Sequence, residues 1–309
     1  MSKVLITGGA GFIGSNLAHR LVENGDDVVI VDDLSMGLRS NLADLSNITF
    51  YEHSITDEAF MAELLINEKF DYIFLLAAVA SVADSVERPF QTHEINQEAD
   101  IFILETIRKN HLAPEKVLFS SSAAVYGNDP ELPKQENSPI RPMTPYAIDK
   151  FSAERFMISY AKLYSINAVA VRFFNVYGPK QNPNSPYSGV LSILTSAMKE
   201  NKTFSIFGDG EQSRDFVYID DVVDALNLLT FESDVRGDVY NIATGSETSL
   251  KNVIKTMEDV TGLTIDVQKM PERAGDVKHS VANIDKICKL GFVPKVVISE
   301  GLNKYWKSL

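Results

Sequence analysis

One stretch near the start of the chain constrains its fold more than any other. Gly8-Gly9-Ala10-Gly11-Phe12-Ile13-Gly14 separates two segments of different periodicity. Before it, Lys3–Thr7 is a compact run rich in β-branched residues. After it, Phe12, Leu17, Leu21 and Val22 recur at helical spacing, and Asp27–Val31 reads as a second strand. Strand, glycine turn, helix and strand form the opening of a doubly wound α/β domain. Glycine is needed where the chain turns sharply and backbone must approach a phosphate. The helix after the turn offers unpaired N–H groups and its positive end to a pyrophosphate. Gly8, Gly11 and Gly14 are therefore candidate cofactor-binding residues. Eighteen residues beyond Gly14 stands Asp32, followed by Asp33. A carboxylate at the end of the second strand accepts the ribose hydroxyls of NAD and repels a 2′-phosphate, so NAD is expected rather than NADP.

The pattern continues with strand candidates at 48–51, 72–76, 116–120 and 168–172, separated by helix-length segments at 58–67, 96–109 and 146–163. Near-continuous apolar strands alternating with helices predict a parallel sheet buried on both faces. After Gly178 the texture changes to a turn-rich segment, a helix near 191–200 and shorter alternating elements. The fold class expected is α/β: a Rossmann-like doubly wound parallel sheet with a smaller mixed α/β C-terminal substrate lobe. The NAD-binding domain is placed at 1–178 plus about 216–242, and the lobe at 179–215 plus 243–309.

Composition excludes several alternatives. Among 309 residues, 29 Lys+Arg stand against 42 Asp+Glu, a formal charge of −13, with no basic cluster. Nonspecific nucleic-acid binding is not expected. The lone Cys288 forbids an internal disulfide and fits a reducing, cytoplasmic setting. The apolar stretch YIFLLAAVASVA is too short to cross a bilayer, so no membrane partner is expected. The five histidines form no ligand pattern, so no metal is expected. No GxSxG elbow and no P-loop lysine motif occur.

Tyr146 and Lys150 are four apart in a predicted helix and share one face. They follow the fifth strand, on the carboxyl side of the sheet where ligands bind. An ammonium beside a phenol stabilises phenolate, which can remove a hydroxyl proton while a nicotinamide takes hydride from the same carbon. The strand at 116–120 runs into Ser121 and Ser122. A serine at a strand end can bridge a sugar oxygen and a tyrosine, but spacing alone does not choose among Ser120, Ser121 and Ser122.

With GGAGFIGS, FSSSAAVYG, PYAIDK, RFFNVYGP, GDGEQSRDFVYIDDV and PERAGDVKHS in order along nearly the whole chain, the sequence resembles the extended short-chain dehydrogenase/reductases of the NAD-dependent epimerase/dehydratase family. It is most similar there to the UDP-glucose and UDP-N-acetylglucosamine 4-epimerases. The resemblance implies Ser122, Tyr146 and Lys150 as the catalytic set. Phe12 and Ile13 match the backbone cradle of the pyrophosphate, and Asp32 the adenosine ribose clamp. Asp33, Ser35, Gly37, Ile55, Leu76, Ala77, Ala78, Asn96, Ser120 and Phe174 match further positions along the cofactor groove, and Ser54 stands there where the family usually has an aspartate facing adenine. Ser81, Val82, Asn175, Val190, Phe204, Ser205, Ile206, Arg214, Arg273, Asp276 and Ser280 match substrate positions, with Ser122 among them. Ala123-Ala124 replaces the acid that the family's dehydratases and decarboxylases usually carry, which leaves epimerisation, and neutral Asn182 argues against a charged sugar. Ser280 stands where galactose-restricted members have a tyrosine, leaving room for an acetamido group.

The implied activity is NAD-dependent 4-epimerisation of UDP-sugars, UDP-GlcNAc/UDP-GalNAc and also UDP-Glc/UDP-Gal, through a transient 4-keto sugar. A net reductase of 4-keto nucleotide sugars and a non-catalytic NAD-binding regulator are alternatives on the same fold. The resemblance further implies a homodimer paired through helices near 96–109 and 146–163, whose Phe102, Phe151, Phe156 and Ile158 exceed one narrow buried stripe.

Overall fold

The computed structural model describes residues 1–181, 189–271 and 277–309. Its first half contains strands β1 (Lys3–Thr7), β2 (Asp27–Val31), β3 (Ile48–Tyr51), β4 (Tyr72–Leu75), β5 (Lys116–Ser122), β6 (Ala168–Phe173) and β7 (Asn175–Tyr177). Among them run helices α1 (Phe12–Glu23), α2 (Glu58–Glu68), α3 (Val82–Glu87), α4 (Pro89–His93), α5 (Ala99–Lys109) and α6 (Pro145–Leu163). The second half adds α7 (Val190–Lys199), β8 (Phe204–Phe207), β9 (Ser213–Arg214), β10 (Phe216–Tyr218), α8 (Ile219–Asn227) and β11 (Asp238–Ile242). It ends with β12 (Thr248–Ser249), α9 (Leu250–Thr261), β13 (Val267–Met270), β14 (His279–Ser280), α10 (Asp285–Cys288) and α11 (Ile298–Ser308).

Seven strands form one parallel sheet in the order β11-β6-β5-β4-β1-β2-β3. The chain winds outward from β1 in one sense and from β4 in the other, and the crevice beyond the carboxyl ends of these two strands is where such sheets bind ligands. Alternating side chains of one strand feed two cores. Val4 and Ile6 pack toward α1 and α8, while Leu5 packs toward α2, α5 and α6. Both faces are thus covered, which explains the unbroken apolar runs. Small sheets, β8 with β13, β9 with β12 and β14, and β7 with β10, build the C-terminal α/β lobe together with α7, α9 and α11.

Helix starts follow local chemistry. Thr144 Oγ1 accepts the Ala147 N–H at 3.3 Å, and Pro145 occupies the first turn of α6, where its missing N–H costs nothing. α2 starts on Asp57, which accepts from Phe60 N–H at 3.1 Å. The segment expected to be one helix from Asn96 begins earlier and differently. Glu94–Glu98 is a π-helical turn continuous with α4 before it and α5 after it. No helix among the described residues is long and apolar enough to cross a membrane.

Candidate active site

The turn after β1 is shaped by backbone contact. Gly8 has φ +71°, and a Cβ there would lie 2.7 Å from Ala77 Cα. A Cβ on Gly14 would lie 2.3 Å from the Gly8 carbonyl oxygen. Only glycine lets β1, α1 and the segment after β4 meet this closely. α1 has Gly11 at its cap position and no side-chain cap, so the first-turn amides of Phe12, Ile13 and Gly14 face the crevice free of side-chain acceptors. Asp32 is buried. Its Oδ2 accepts from Ala10 N–H at 2.9 Å and its Oδ1 from Leu34 N–H at 2.9 Å, tying the glycine turn to the end of β2. Burial raises its carboxyl above the usual range, with those amides pulling it back. Asp33 is more exposed, and its Oδ1 accepts from the amide and hydroxyl of Ser35 at 2.9 and 2.5 Å.

Two adjoining hollows run along the carboxyl edge of the sheet. The first, about 530 Å³, is bounded by Gly8, Gly11, Asp32, Asp33, Ser35, Gly37, Ser54, Ile55, Leu76, Ala77 and Ala78. The second, about 1380 Å³ including its open mouth, carries Phe12, Ile13, Gly14, Ser120, Ser122, Tyr146, Lys150, Phe174 and Asn175. Met36, Asn41, His53, Ala80, Lys180 and Gln181 also line these hollows. Apart from Ala80, which the resemblance placed beside the sugar, sequence reasoning missed them, though a lysine two residues past the end of RFFNVYG was a visible cation beside a phosphate-type groove.

The three serines separate cleanly. Ser120 Oγ donates to Leu75 O at 2.9 Å, and Ser121 Oγ donates to Glu154 Oε2 at 2.7 Å, both buried. Ser122 is the half-buried one. It closes β5, accepts from Ala124 N–H at 3.2 Å, and is hydrogen-bonded to Tyr146. Tyr146 and Lys150 stand one turn apart on α6. Lys150 is buried with its Nζ 4.8 Å from the centre of the Phe119 ring and without a hydrogen-bond partner. Burial pushes the Tyr146 phenol up, against the Ser122 hydrogen bond. The net direction, set by burial against the Ser122 hydrogen bond, is opposite to the depression expected from Lys150. Burial likewise pushes Lys150 down, while Asp100 and Asp149 pull it up.

Other expected positions lie elsewhere. Asn96 does not line the groove: its Oδ1 accepts from Val79 N–H at 2.8 Å and its Nδ2 donates to Val79 O at 3.2 Å, pinning the segment after β4 from behind. Ser81 caps α3, accepting from Asp84 N–H at 2.9 Å, and Val82 follows it at the surface. Phe204 and Ile206 turn into the core, leaving Ser205 outward. Val190 opens α7. Arg214 and Ser280 are register partners across β9 and β14, with Arg214 Nη1 donating to Ser213 O at 2.8 Å. Asn182, Arg273 and Asp276 lie outside the described residues. Among the described residues, no three His, Cys, Asp or Glu side chains are grouped to hold a metal ion.

A glycine cradle that any Cβ would fill, an uncapped helix start, and an orphaned buried lysine amine all fit a dinucleotide lying across the switch point. The class so defined is a dinucleotide-dependent α/β enzyme with a Ser/Tyr/Lys set. The chain belongs to the NAD dependent epimerase/dehydratase family, whose profile matches residues 4–243. It is similar to the UDP-glucose 4-epimerase of Thermotoga maritima solved with UDP-glucose, at 38% identity and TM-score 0.94 over 99% of this chain and 98% of that one. The UDP-N-acetylglucosamine 4-epimerase of Methanobrevibacter ruminantium, in complex with UDP-N-acetylmuramic acid, shares 37% identity with TM-score 0.93 over 99% and 97%. The UDP-glucose 4-epimerase of Thermus thermophilus, complexed with NAD, shares 31% identity with TM-score 0.91 over 99% and 98%.

Proposed function

We propose that this chain is an NAD-dependent 4-epimerase of UDP-sugars that works through a transient 4-keto sugar. The observation that carries the reading is the meeting of Ser122, Tyr146 and Lys150 in the switch-point groove, with neutral Ala123 and Ala124 beside them. The three similar epimerases, two solved with a UDP-sugar and one with NAD, support it. The amides of Phe12, Ile13 and Gly14 would hold the pyrophosphate of NAD, Asp32 its adenosine ribose, and Lys150 its nicotinamide ribose. Bound NAD would supply the carbon that takes hydride from sugar C4 and later gives it back.

Tyr146 removes the proton of the sugar 4-OH and returns it after the sugar has presented its other face. Ser122, hydrogen-bonded to Tyr146, guides that proton between sugar oxygen and phenol. Lys150 supplies the positive charge that favours phenolate. Asn175 and Arg214, with Arg273, would anchor the diphosphate, whose binding energy lets the sugar be gripped loosely. Ser280 would border the sugar C2 substituent and admit the acetamido group, so both sugar pairs would be substrates.

The same chain is proposed to pair with itself. Phe90 is 73% exposed and Leu163 69% exposed, and Ile148 and Phe156 on α6 also face out. Of the four residues counted toward such an interface, Ile158 is core, Phe102 and Phe151 are partly buried against core clusters, and Phe156 is the outward one. The decisive experiment is incubation of the purified protein with UDP-Glc, UDP-Gal, UDP-GlcNAc and UDP-GalNAc separately, followed by chromatography. Interconversion within each pair without added cofactor is expected. Stoichiometric consumption of NADH or NADPH would overturn the epimerase reading.

A further inference from the structure

Behind Lys150 lies a charged cluster that the proposed chemistry leaves unused. Asp100, the second residue of α5, is 1% exposed, and neither of its carboxylate oxygens has a hydrogen-bond partner. A desolvated carboxylate without hydrogen bonds is unfavourable unless a cation compensates it or a proton neutralises it. The nearby cation is Lys150, equally buried and also without a hydrogen-bond partner. Asp149 Oδ2 is a third buried orphan, while Asp149 Oδ1 is held by His93 Nδ1 at 2.8 Å.

Among the described residues, the other charged groups nearby are engaged elsewhere. His93 Nε2 faces Glu98 at 3.5 Å, Arg88 faces Asp84 at 3.4 Å, and Glu94 lies half-buried on the π-helical turn. β5 contributes only the Phe119 ring and serine hydroxyls. On α6 the remaining titratable neighbours are Tyr146 and Glu154, each one turn from Lys150, and the Glu154 carboxylate is taken up by Arg172 and Ser121. The π-helical turn Glu94–Glu98 ends two residues before Asp100. Its extra residue rotates α5 by roughly 100° relative to an unbroken α-helix, resetting which of the α5 side chains turn toward α6.

We propose that Asp100 is a positioning residue for the reaction: its buried carboxylate acts through space on the buried Lys150 ammonium, favours its charged form, and so governs the pH range over which Tyr146 can act. This rests on the epimerase reading for its catalytic consequence. Each group acts on the other: Asp100 pulls Lys150 up against burial, and Lys150 pulls Asp100 down against burial. When a proton passes between them, the Asp100 O–H bond breaks and a Lys150 N–H bond forms. The total charge is unchanged, so the pair exchanges protons with solvent as a unit.

The test uses holoprotein labelled with ¹³C at lysine Cε, titrated through the neutral and alkaline range, with Lys150 identified by the resonance lost in Lys150→Arg. Asp100→Asn should lower the Lys150 midpoint by about one pH unit or more, a change of about tenfold in its proton affinity. The alkaline limb of kcat should move to lower pH by the same amount, with KM changed less than about twofold. Asp149→Asn should give a smaller shift in the same direction, Asp100→Ser a shift like that of Asn, and Asp100→Glu should restore the midpoint. An unchanged midpoint in the Asn and Ser variants overturns the proposal. So does their failure to fold, which would make Asp100 a folding residue. If the wild type turned over no UDP-sugar, the proposed reaction would fall while the lysine titration still tested Asp100 on its own.

Discussion

Glu154 lies one helical turn past Lys150, is fully buried, and holds the catalytic helix to the sheet. Its Oε2 accepts from Arg172 Nε at 2.8 Å and from Ser121 Oγ at 2.7 Å, and its Oε1 accepts from Arg172 Nη2 at 2.7 Å. Arg172, itself 2% exposed, also donates to Tyr126 Oη at 2.9 Å and Glu136 O at 3.0 Å. Glu154→Gln keeps the volume, so no cavity contributes. The amide nitrogen replaces Oε1 and faces the Nη2 donor, losing one charge-assisted bond, while the guanidinium stays buried without its counter-charge. Removing one partner of such a pair costs about 3–5 kcal/mol, against a total stability of about 5–15 kcal/mol. Urea unfolding followed by far-ultraviolet circular dichroism should show that loss. The double variant Glu154→Leu, Arg172→Met should recover part of it, because an apolar pair of similar volume leaves no buried charge, although Ser121 Oγ and Glu136 O lose a partner. A loss below about 1 kcal/mol for Glu154→Gln, the range of exposed pairs, would refute the reasoning. So would a double variant no more stable than the single one.

Three further outcomes are expected. Tyr146→Phe should lower kcat by about 10²–10⁴-fold, the usual worth of a general acid–base group, with an unchanged circular dichroism spectrum. Gly14→Ala places a methyl 2.3 Å from a backbone oxygen that cannot yield, so protein denatured after purification should release far less nicotinamide than wild type. Ser280→Tyr should remove turnover of the N-acetylated pair and spare the plain pair; equal loss of both would reject Ser280 as the gate.

Local chemistry made the first half of the fold legible. The strand candidate at 48–51 coincides with β3, and the one at 168–172 falls one residue short of β6. The run of β6 is legible because both its faces are covered, while the edge strand β3, with no fully buried residue, is read from its short apolar run and flanking turns. The π-helical turn was not legible, since Glu94–Glu98 carries ordinary helix formers and only packing against α6 distinguishes it. The short β9, β12 and β14 pairs escaped for a related reason: two-residue strands have no periodicity to read. At the site, the glycine turn and Asp32 could be placed because each sits at a fixed step from a strand end. The choice among Ser120, Ser121 and Ser122 needed coordinates, because it depends on where Leu75 O and Glu154 point. Glu154 itself was visible as the next member of the Tyr146, Lys150 series at four-residue steps, but its partner Arg172 is brought in only by the sheet.

The order β11-β6 at the sheet edge has a consequence for synthesis on the ribosome. β6 ends at Phe173, and its neighbour begins at Asp238. At roughly 5–20 residues per second, the intervening stretch takes roughly 3–13 seconds to emerge. During that interval the apolar strand Ala168–Phe173 is a nascent edge with open amides and carbonyls, a template for pairing with another chain. Tyr126 Oη likewise waits for Asn241 Oδ1, its acceptor at 2.6 Å. Arrested chains released before β11 should therefore self-associate, and chains extended past Ile242 should not. The last strand thus acts as a timer on the solubility of the newborn protein.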